Sequence, residues 1–244
     1  MKKNIIKYLV LSIVFIGFLS SCKKDVITND VSSITYYPEF TYNGDAVVAF
    51  EAGSVFVDPG ISAEENGVEI PVSMEVSGIF RGYSGDAVQM DTPDRYEITY
   101  SAVNSDGYTG NQYRTVWIAK TGDLTTSLEG LYISNTVYGI PYSNLHYIII
   151  WEVSPNVYAI NDAVGGTYDL GRGYGPNYAA VGGTFTVNDM ATNDFGYSDS
   201  VFPGFGNACS MSGLTVNAAT KTLHYTAVGD WGGTFDVTLT QVTL

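Results

Sequence analysis

The chain has 244 residues, 11 basic against 25 acidic, for a formal net charge of −14, with 15% of residues charged and 45% hydrophobic. That balance excludes a nucleic-acid binder, whose partner demands a positive footprint, and an acidic disordered tail, since the apolar content is enough for a core. With 2 cysteines, a disulfide scaffold and a Cys-based metal cluster are excluded as well.

Residues 1–21 place Lys2, Lys3 and Lys7 before an apolar block from Tyr8 to Leu19. A basic start, a short apolar core and small residues before a processing point predict a secretory signal. The block is short of the roughly 20 residues a spanning helix needs, and no later stretch is apolar for long enough. The close of the segment, Leu19-Ser20-Ser21-Cys22, resembles the lipobox of bacterial lipoproteins. The resemblance implies cleavage before Cys22 and lipidation of Cys22, which would hold the chain to a membrane. Several acyl chains give a stable anchor where one is marginal. Residues 22–33, opening on Lys23-Lys24-Asp25, then read as a polar tether. These charged residues partly resemble the surface-export signal of Bacteroidetes lipoproteins, which implies an outer-membrane location facing the cell exterior. With Cys22 lipidated, Cys209 is expected to be a small buried thiol.

The rest of the chain is rich in aromatics and glycine: 19 Tyr, 11 Phe, 3 Trp and 27 Gly. Tyr and Phe suit strands, and Gly suits tight turns, so the fold class expected is all-β. Between 34 and 120 short strands alternate with turn signals. Ser33 to Pro38 reads as an opening strand that ends at the proline. Asp45 to Phe50 follows, then a strand tip at Val55–Gly60 broken by Pro59 and Gly60. Ile61 to Ala63 and Val68 to Met74 flank Asn66-Gly67, a type I′ hairpin signal, with Pro71 placing the returning strand at an edge or bulge. Arg95 to Val103 carries the clearest period of two: Tyr96, Ile98, Tyr100 and Ala102 on one face, Glu97, Thr99 and Ser101 on the other. Asn104-Ser105-Asp106-Gly107 turns the chain into Gln112–Ile118. This spacing predicts a β-sandwich.

Two runs carry a family likeness. Gly53-Ser54-Val55-Phe56-Val57-Asp58-Pro59-Gly60-Ile61-Ser62-Ala63 resembles the signature of bacterial Ig-like domains of the "domain of unknown function 5011" type. Arg95 to Gly107, ending in Arg114-Thr115-Val116, does so too. The resemblance implies an Ig-like spacer or adhesive module without catalytic residues. The segment Ser77–Met90, with Arg81-Gly82-Tyr83-Ser84-Gly85-Asp86, looks longer than the family turn and is expected to protrude.

Ala119 to Asp123 is a polar break, and a second domain is placed at 121–244. Leu128–Ser134 reads as its opening strand. Tyr147–Val153 reads as a central strand buried on both faces over part of its length, returned through Ser154-Pro155-Asn156 to Val157–Ile160. A pattern Gly-Gly-Thr-aromatic-x-aliphatic occurs at Gly165, Gly182 and Gly232. It predicts a tight turn feeding a strand whose aromatic points inward. A phosphate-cradling loop is excluded, because no helix follows and no Lys stands where such a loop needs one. Ser212–Val216, Leu223–Val228 and Thr234–Val242 supply the last strands, the final one reading as an outer strand. The architecture expected is an Ig-like β-sandwich followed by a second antiparallel sandwich or barrel-like domain. Leu128 to Tyr132 and Gly166 to Gly175 resemble the "domain of unknown function 5012" of Bacteroidetes lipoproteins. That likeness implies company with polysaccharide-uptake proteins of the outer membrane.

The candidate ligand-binding residues are Arg172, Tyr174, Asn177 and Tyr178 in one Gly-rich loop, with Trp231, Tyr197 and Phe205. A guanidinium suits carboxylates or sugar hydroxyls, and exposed rings suit stacking. The competing structural reading pairs Arg172 with a local Asp. Asp194–Asp199 and Phe202–Asn207 read as aromatic loops, either a binding rim or a cover over one end of the sheet. His146 and His224 lie on different strands, and a shared metal site would need them to converge with a carboxylate. Glu152, Asp162, Asp169, Asp189, Asp194 and Asp199 are too many for any one pair to mark hydrolysis, so no enzyme and no catalytic residue is expected. Calcium on loop carboxylates stays open, although no EF-hand loop is present. The function expected is a membrane-anchored, non-catalytic lipoprotein that binds glycan at the cell surface as an accessory of polysaccharide uptake. The alternative is a structural or protein-docking lipoprotein without a small-molecule ligand.

Overall fold

A computed structural model describes residues 34–244, so the signal segment, Cys22 and the tether through Ser33 lie outside the described residues. The fold is all-β. A mixed Ig-like sheet pair is followed by one large antiparallel sheet that curls nearly closed.

The Ig-like part begins after Pro38. β1 (Glu39–Tyr42) pairs with β3 (Ile61–Glu65), and β3 with β4 (Val68–Ile70), in a three-stranded sheet. Of the opening strand expected at 33–38, the described residues 34–38 form none: the proline precedes β1 and lies outside the ladder, where its missing N–H costs nothing. Asn66 and Gly67 both adopt positive φ, 50° and 76°, as a type I′ turn requires. At Pro71 the chain leaves this sheet. β5 (Val72–Gly78) joins the second, five-stranded sheet with β2 (Val47–Glu51), β6 (Ser84–Gly85), β7 (Asp94–Val103) and β8 (Thr109–Ala119), in the order β2-β8-β7-β5-β6. β2 runs parallel to β8 and the other pairs are antiparallel. β7 shows the expected alternation, with Tyr96, Ile98, Tyr100 and Ala102 buried. The protruding loop expected at 77–90 instead folds back as β6 on β5, and Tyr83 packs edge-on against Tyr96.

Residues 53–60 form no strand, although alternating Val and Phe there suggested one. The segment is held by a side chain: Asp58 accepts from Arg114, which is fully buried on β8. The same guanidinium donates to the Tyr100 hydroxyl at 2.9 Å and to the carbonyls of Asp45, Asn43 and Gly60. A buried charge is tolerated only when it is paired and hydrogen-bonded, and Arg114 is both.

The second part is a nine-stranded antiparallel sheet. Its members are β9 (Gly130–Tyr138), β10 (Ile140–Ser154), β11 (Val157–Ile160), β12 (Thr184–Asp189), β13 (Asp194–Ser198), β14 (Ser200–Val201), β15 (Ala208–Asn217), β16 (Thr222–Gly229) and β17 (Thr234–Gln241). The order is β13-β12-β11-β10-β9-β17-β16-β15-β14, so the strands at its two ends, β13 and β14, follow each other in the chain. The sheet therefore curls round, and the seam is closed by side chains as well as backbone. Leu214 N–H donates to the Tyr197 hydroxyl and Val216 N–H to Asn193 Oδ1, each at 2.8 Å. Val181 and Val201 form an isolated bridge beside it. β17, expected at the outside, is central between β9 and β16. Val237 and Leu239 are fully buried, while Asp236 and Thr240 face solvent.

From Tyr37 onward the chain is one compact unit. Ile148 and Ile150 point into the barrel-like interior with Tyr132, Phe185, Tyr225 and Phe235. Ile149 and Trp151, on the outer face of the same strand, pack with Trp117, Leu131 and Ala159. Trp117 comes from β8, so the Ig-like part covers that outer face. This explains a run buried on both sides in an antiparallel sheet, which ordinarily has one wet face. Arg95 lies 5.7 Å from the Trp117 ring and reaches Asp169 at 3.5 Å across the same junction.

Candidate functional site

At the end of the nine-stranded sheet where β16 turns into β17, aromatic side chains from four loops converge. Two of the three Gly-Gly-Thr repeats feed strands as expected, placing Phe185 and Phe235 fully inside. The first does not. Gly165 and Gly166 lead into a single π-helical turn, Thr167–Gly171, which tucks Tyr168 into the mouth of the barrel. Thr167 Oγ1 donates to the Val164 carbonyl at 2.9 Å and holds the turn.

Tyr168 is the floor of the cluster. Phe205, Phe202, Phe235 and Tyr138 lie at ring-centroid distances of 5.1, 5.7, 6.0 and 6.2 Å from it. Tyr174 is near-parallel to Tyr168 at 6.3 Å and edge-on to Tyr178 at 5.5 Å; Tyr178 meets Phe205 at 4.8 Å. Offset and edge-to-face pairs at these separations are the favoured aromatic geometries. Above this floor Tyr174, Phe205 and Trp231 are exposed, at 51%, 43% and 41%. Tyr174, Tyr178 and Phe205 line one shallow, mainly apolar depression.

Trp231 is fixed by its turn. Gly232 has φ 85°, Gly229 N–H bonds the Gly233 carbonyl at 2.9 Å, and the indole N–H donates to the Tyr138 hydroxyl at 3.3 Å. A Cβ on Gly233 would come within 2.4 Å of the indole nitrogen. The ring lies against bare backbone, a position only glycine permits.

Arg172 follows the π-helical turn. Its guanidinium stands 4.8 Å from the centroid of Tyr168 and 5.7 Å from that of Tyr138. Desolvation lowers its pKa, but hydrogen bonds with Tyr142 and Tyr174 outweigh this and hold it above the ordinary value. The competing structural reading of Arg172 is not what the fold shows: Asp169, the local acid, turns to Arg95 instead. Asn177 lies at the turn beside the depression, and its carbonyl accepts from Gly204 N–H at 2.7 Å.

Six of the seven expected residues thus belong to one end of the sheet. Tyr197 does not share it. Residues 194–198, read as a loop, form β13, and the Tyr197 ring packs on Phe185 while its hydroxyl serves the seam. Tyr138, Tyr168, Phe202 and Phe235 complete the cluster and were not among the candidates. The Gly-Gly-Thr-aromatic repeat was the readable signal for Tyr168 and Phe235.

Beneath the floor Asp162 is fully buried. Its Oδ1 accepts from Val164 and Ala180, while Oδ2 and the Tyr225 hydroxyl have no partner among the described residues. Burial pushes its carboxyl up from 3.8 to about 7. His224 bonds Asp236 at 2.9 Å on an exposed face, and His146 stands beside Tyr147. Among the described residues no group of His, Cys, Asp and Glu is placed to hold a metal ion.

A family model described as "Bacterial surface protein, Ig-like domain" matches residues 40–118, and a second, described as a C-terminal domain, matches 121–241. The crystal structure of the lipoprotein BT2262 from Bacteroides thetaiotaomicron is 30% identical, with a TM-score of 0.63 over 84% of this chain and 100% of that one. The chain belongs to this family of Bacteroidetes surface lipoproteins. No curated protein matches it. The family pairs an N-terminal Ig-like domain with a C-terminal domain of unknown function, and the solved relative is described as a lipoprotein.

Proposed function

We propose that this surface lipoprotein binds glycan through the aromatic rim of Tyr174, Tyr178, Phe205 and Trp231, as an accessory of polysaccharide uptake. The observation that carries the reading is the exposure of Tyr174, Phe205 and Trp231 over a packed floor that fixes their positions. Exposed rings are normally costly to leave in water, and rings already immobilised lose little entropy on stacking against a sugar face. Arg172, Asn177 and the Tyr hydroxyls supply hydrogen-bonding groups around them. The anchor would be lipidated Cys22, with the tether to Ser33 holding the Ig-like part as a spacer above the outer membrane and presenting the rim outward. We take 34–120 and 121–244 as its two domains.

The test is a glycan array probed with the full-length chain in detergent, beside a variant carrying Phe205→Ala and Trp231→Ala. Binding that the variant loses supports the reading. Binding by neither protein refutes it.

A second reading, docking of an uptake protein, is favoured by a different surface. Val47, Val55 and Val57 of the Ig-like part are exposed, and Val55 lines an open apolar hollow with Val48, Phe50 and Pro59. Co-purification of an outer-membrane partner that Val55→Asp and Val57→Asp abolish would support it.

A further inference from the structure

We infer that Arg172 makes this rim selective for anionic glycans, sugars that carry a carboxylate or a sulfate; the inference rests on the glycan reading of the rim. Arg172 and Lys221 are the only Lys or Arg residues from 121 onward. Lys221 precedes β16 at the end of the sheet away from the rim and bonds Thr243. Arg172 is therefore this domain's one cation at the mouth, in a chain of net charge −14.

The surrounding acids are committed elsewhere. Asp169 pairs with Arg95, and Asp230, next to Trp231, accepts from Asn207 Nδ2 at 2.8 Å and from Ala208 N–H at 3.1 Å. No carboxylate among the described residues forms an ion pair with Arg172. The guanidinium is instead held by the Tyr168 and Tyr138 rings and by the Tyr142 and Tyr174 hydroxyls. Rings and phenol oxygens orient a guanidinium without neutralising it. A guanidinium has five N–H donors, more than those two hydroxyls engage, and the side chain is exposed. A fixed fork of this kind suits a planar carboxylate or a sulfate in two parallel hydrogen bonds. Tyr174 touches both Arg172 and Tyr178, so an anionic substituent on Arg172 would leave its sugar ring over the aromatic depression. The acidic balance of the rest of the chain disfavours anions elsewhere, which confines the preference to this point.

The experiment presents the full-length chain in detergent with three sets of immobilised oligosaccharides: neutral, uronate-containing and sulfated. The expected result is roughly tenfold tighter binding to one or both charged sets than to the neutral set, weakening as salt rises. Arg172→Gln is expected to abolish that preference, so that the charged and neutral sets are bound alike. Arg172→Lys, which keeps a charge over the rings, should restore part of it. The uronate and sulfate arms identify which anion is read. Equal binding of neutral and charged sets, or a preference that Arg172→Gln leaves intact, overturns the inference while the glycan reading stands. Binding to no set overturns the glycan reading and this inference with it. An unchanged thermal midpoint for Arg172→Gln confirms that the variant is folded.

Discussion

Trp231 lies so closely on Gly229 that a Cβ on the glycine would meet the indole at 2.4 Å. The turn between β16 and β17 is thus built to display one ring, and Gly229 is as much part of the rim as the tryptophan. Gly229→Ala should move the indole or strain the strand end, at a cost of about 1–3 kcal/mol as other overpacking changes do. Chemical denaturation measures the cost. A red-shifted tryptophan emission would report the displaced ring, set against the buried Trp117 and Trp151.

Arg114 is the side chain most deeply committed in the Ig-like part. It is fully buried and bonds Asp58, Tyr100 and three backbone carbonyls. Arg114→Ala leaves Asp58 without its partner and frees residues 53–60 from β8. The expected loss is about 3–5 kcal/mol, the range for breaking a buried ion pair from one side. Urea unfolding checks it, and hydrogen exchange should rise first at 53–60.

Asp162 makes stability depend on pH in the direction opposite to a salt-bridged acid. Its carboxyl is raised to about 7 when folded, by burial before any other cause, against 3.8 as the ordinary value. Below 3.8 both states hold the proton and there is no penalty. Between about 4 and about 7 the folded chain keeps a proton the unfolded chain has released, so stability falls as pH rises. The slope approaches about 1.4 kcal/mol per pH unit within that window. Asp162→Asn removes this contribution, so the difference between the two proteins isolates it from other acids. Thermal midpoints from pH 4 to 8 should converge at low pH, with the variant ahead at pH 7.

Anchoring can be tested apart from ligand binding. Cys22→Ala should shift the protein from the membrane fraction to the soluble fraction without changing its thermal unfolding. Mass spectrometry of the unsubstituted protein should find an acylated N-terminal Cys22.

Much of the fold was legible because its signals are local. Alternation in Tyr96–Ala102, the Asn66-Gly67 pair and the Ser154-Pro155-Asn156 turn each act within a few residues, and each appears as expected. What misled was tertiary. Val55 and Phe56 alternate like a strand, yet the Arg114–Asp58 pair holds that segment as an extended coil. Asp236 and Thr238 suggested an outer strand, but centrality in β17 is set by which strands flank it, and its polar face simply meets solvent. Gly165-Gly166 matches the other repeats in sequence. It turns into a π-helical turn because Tyr168 fills the barrel mouth, a place that exists only after the sheet curls. The loop of Arg172, Tyr174 and Tyr178 was readable from composition. The assignment of Tyr197 to the same rim was not, because the closure that gives its hydroxyl to Leu214 joins strands far apart in the sheet order.

Covalent footprinting of the full-length chain, with and without the polysaccharide that binds it best on the array, tests the rim most directly. Oxidation of Tyr174, Phe205 and Trp231 by hydroxyl radicals is predicted to fall when the polysaccharide is bound, while Val55 and Val57 keep their reactivity. Unprotected rim residues, or protection confined to the Ig-like part, would contradict the account.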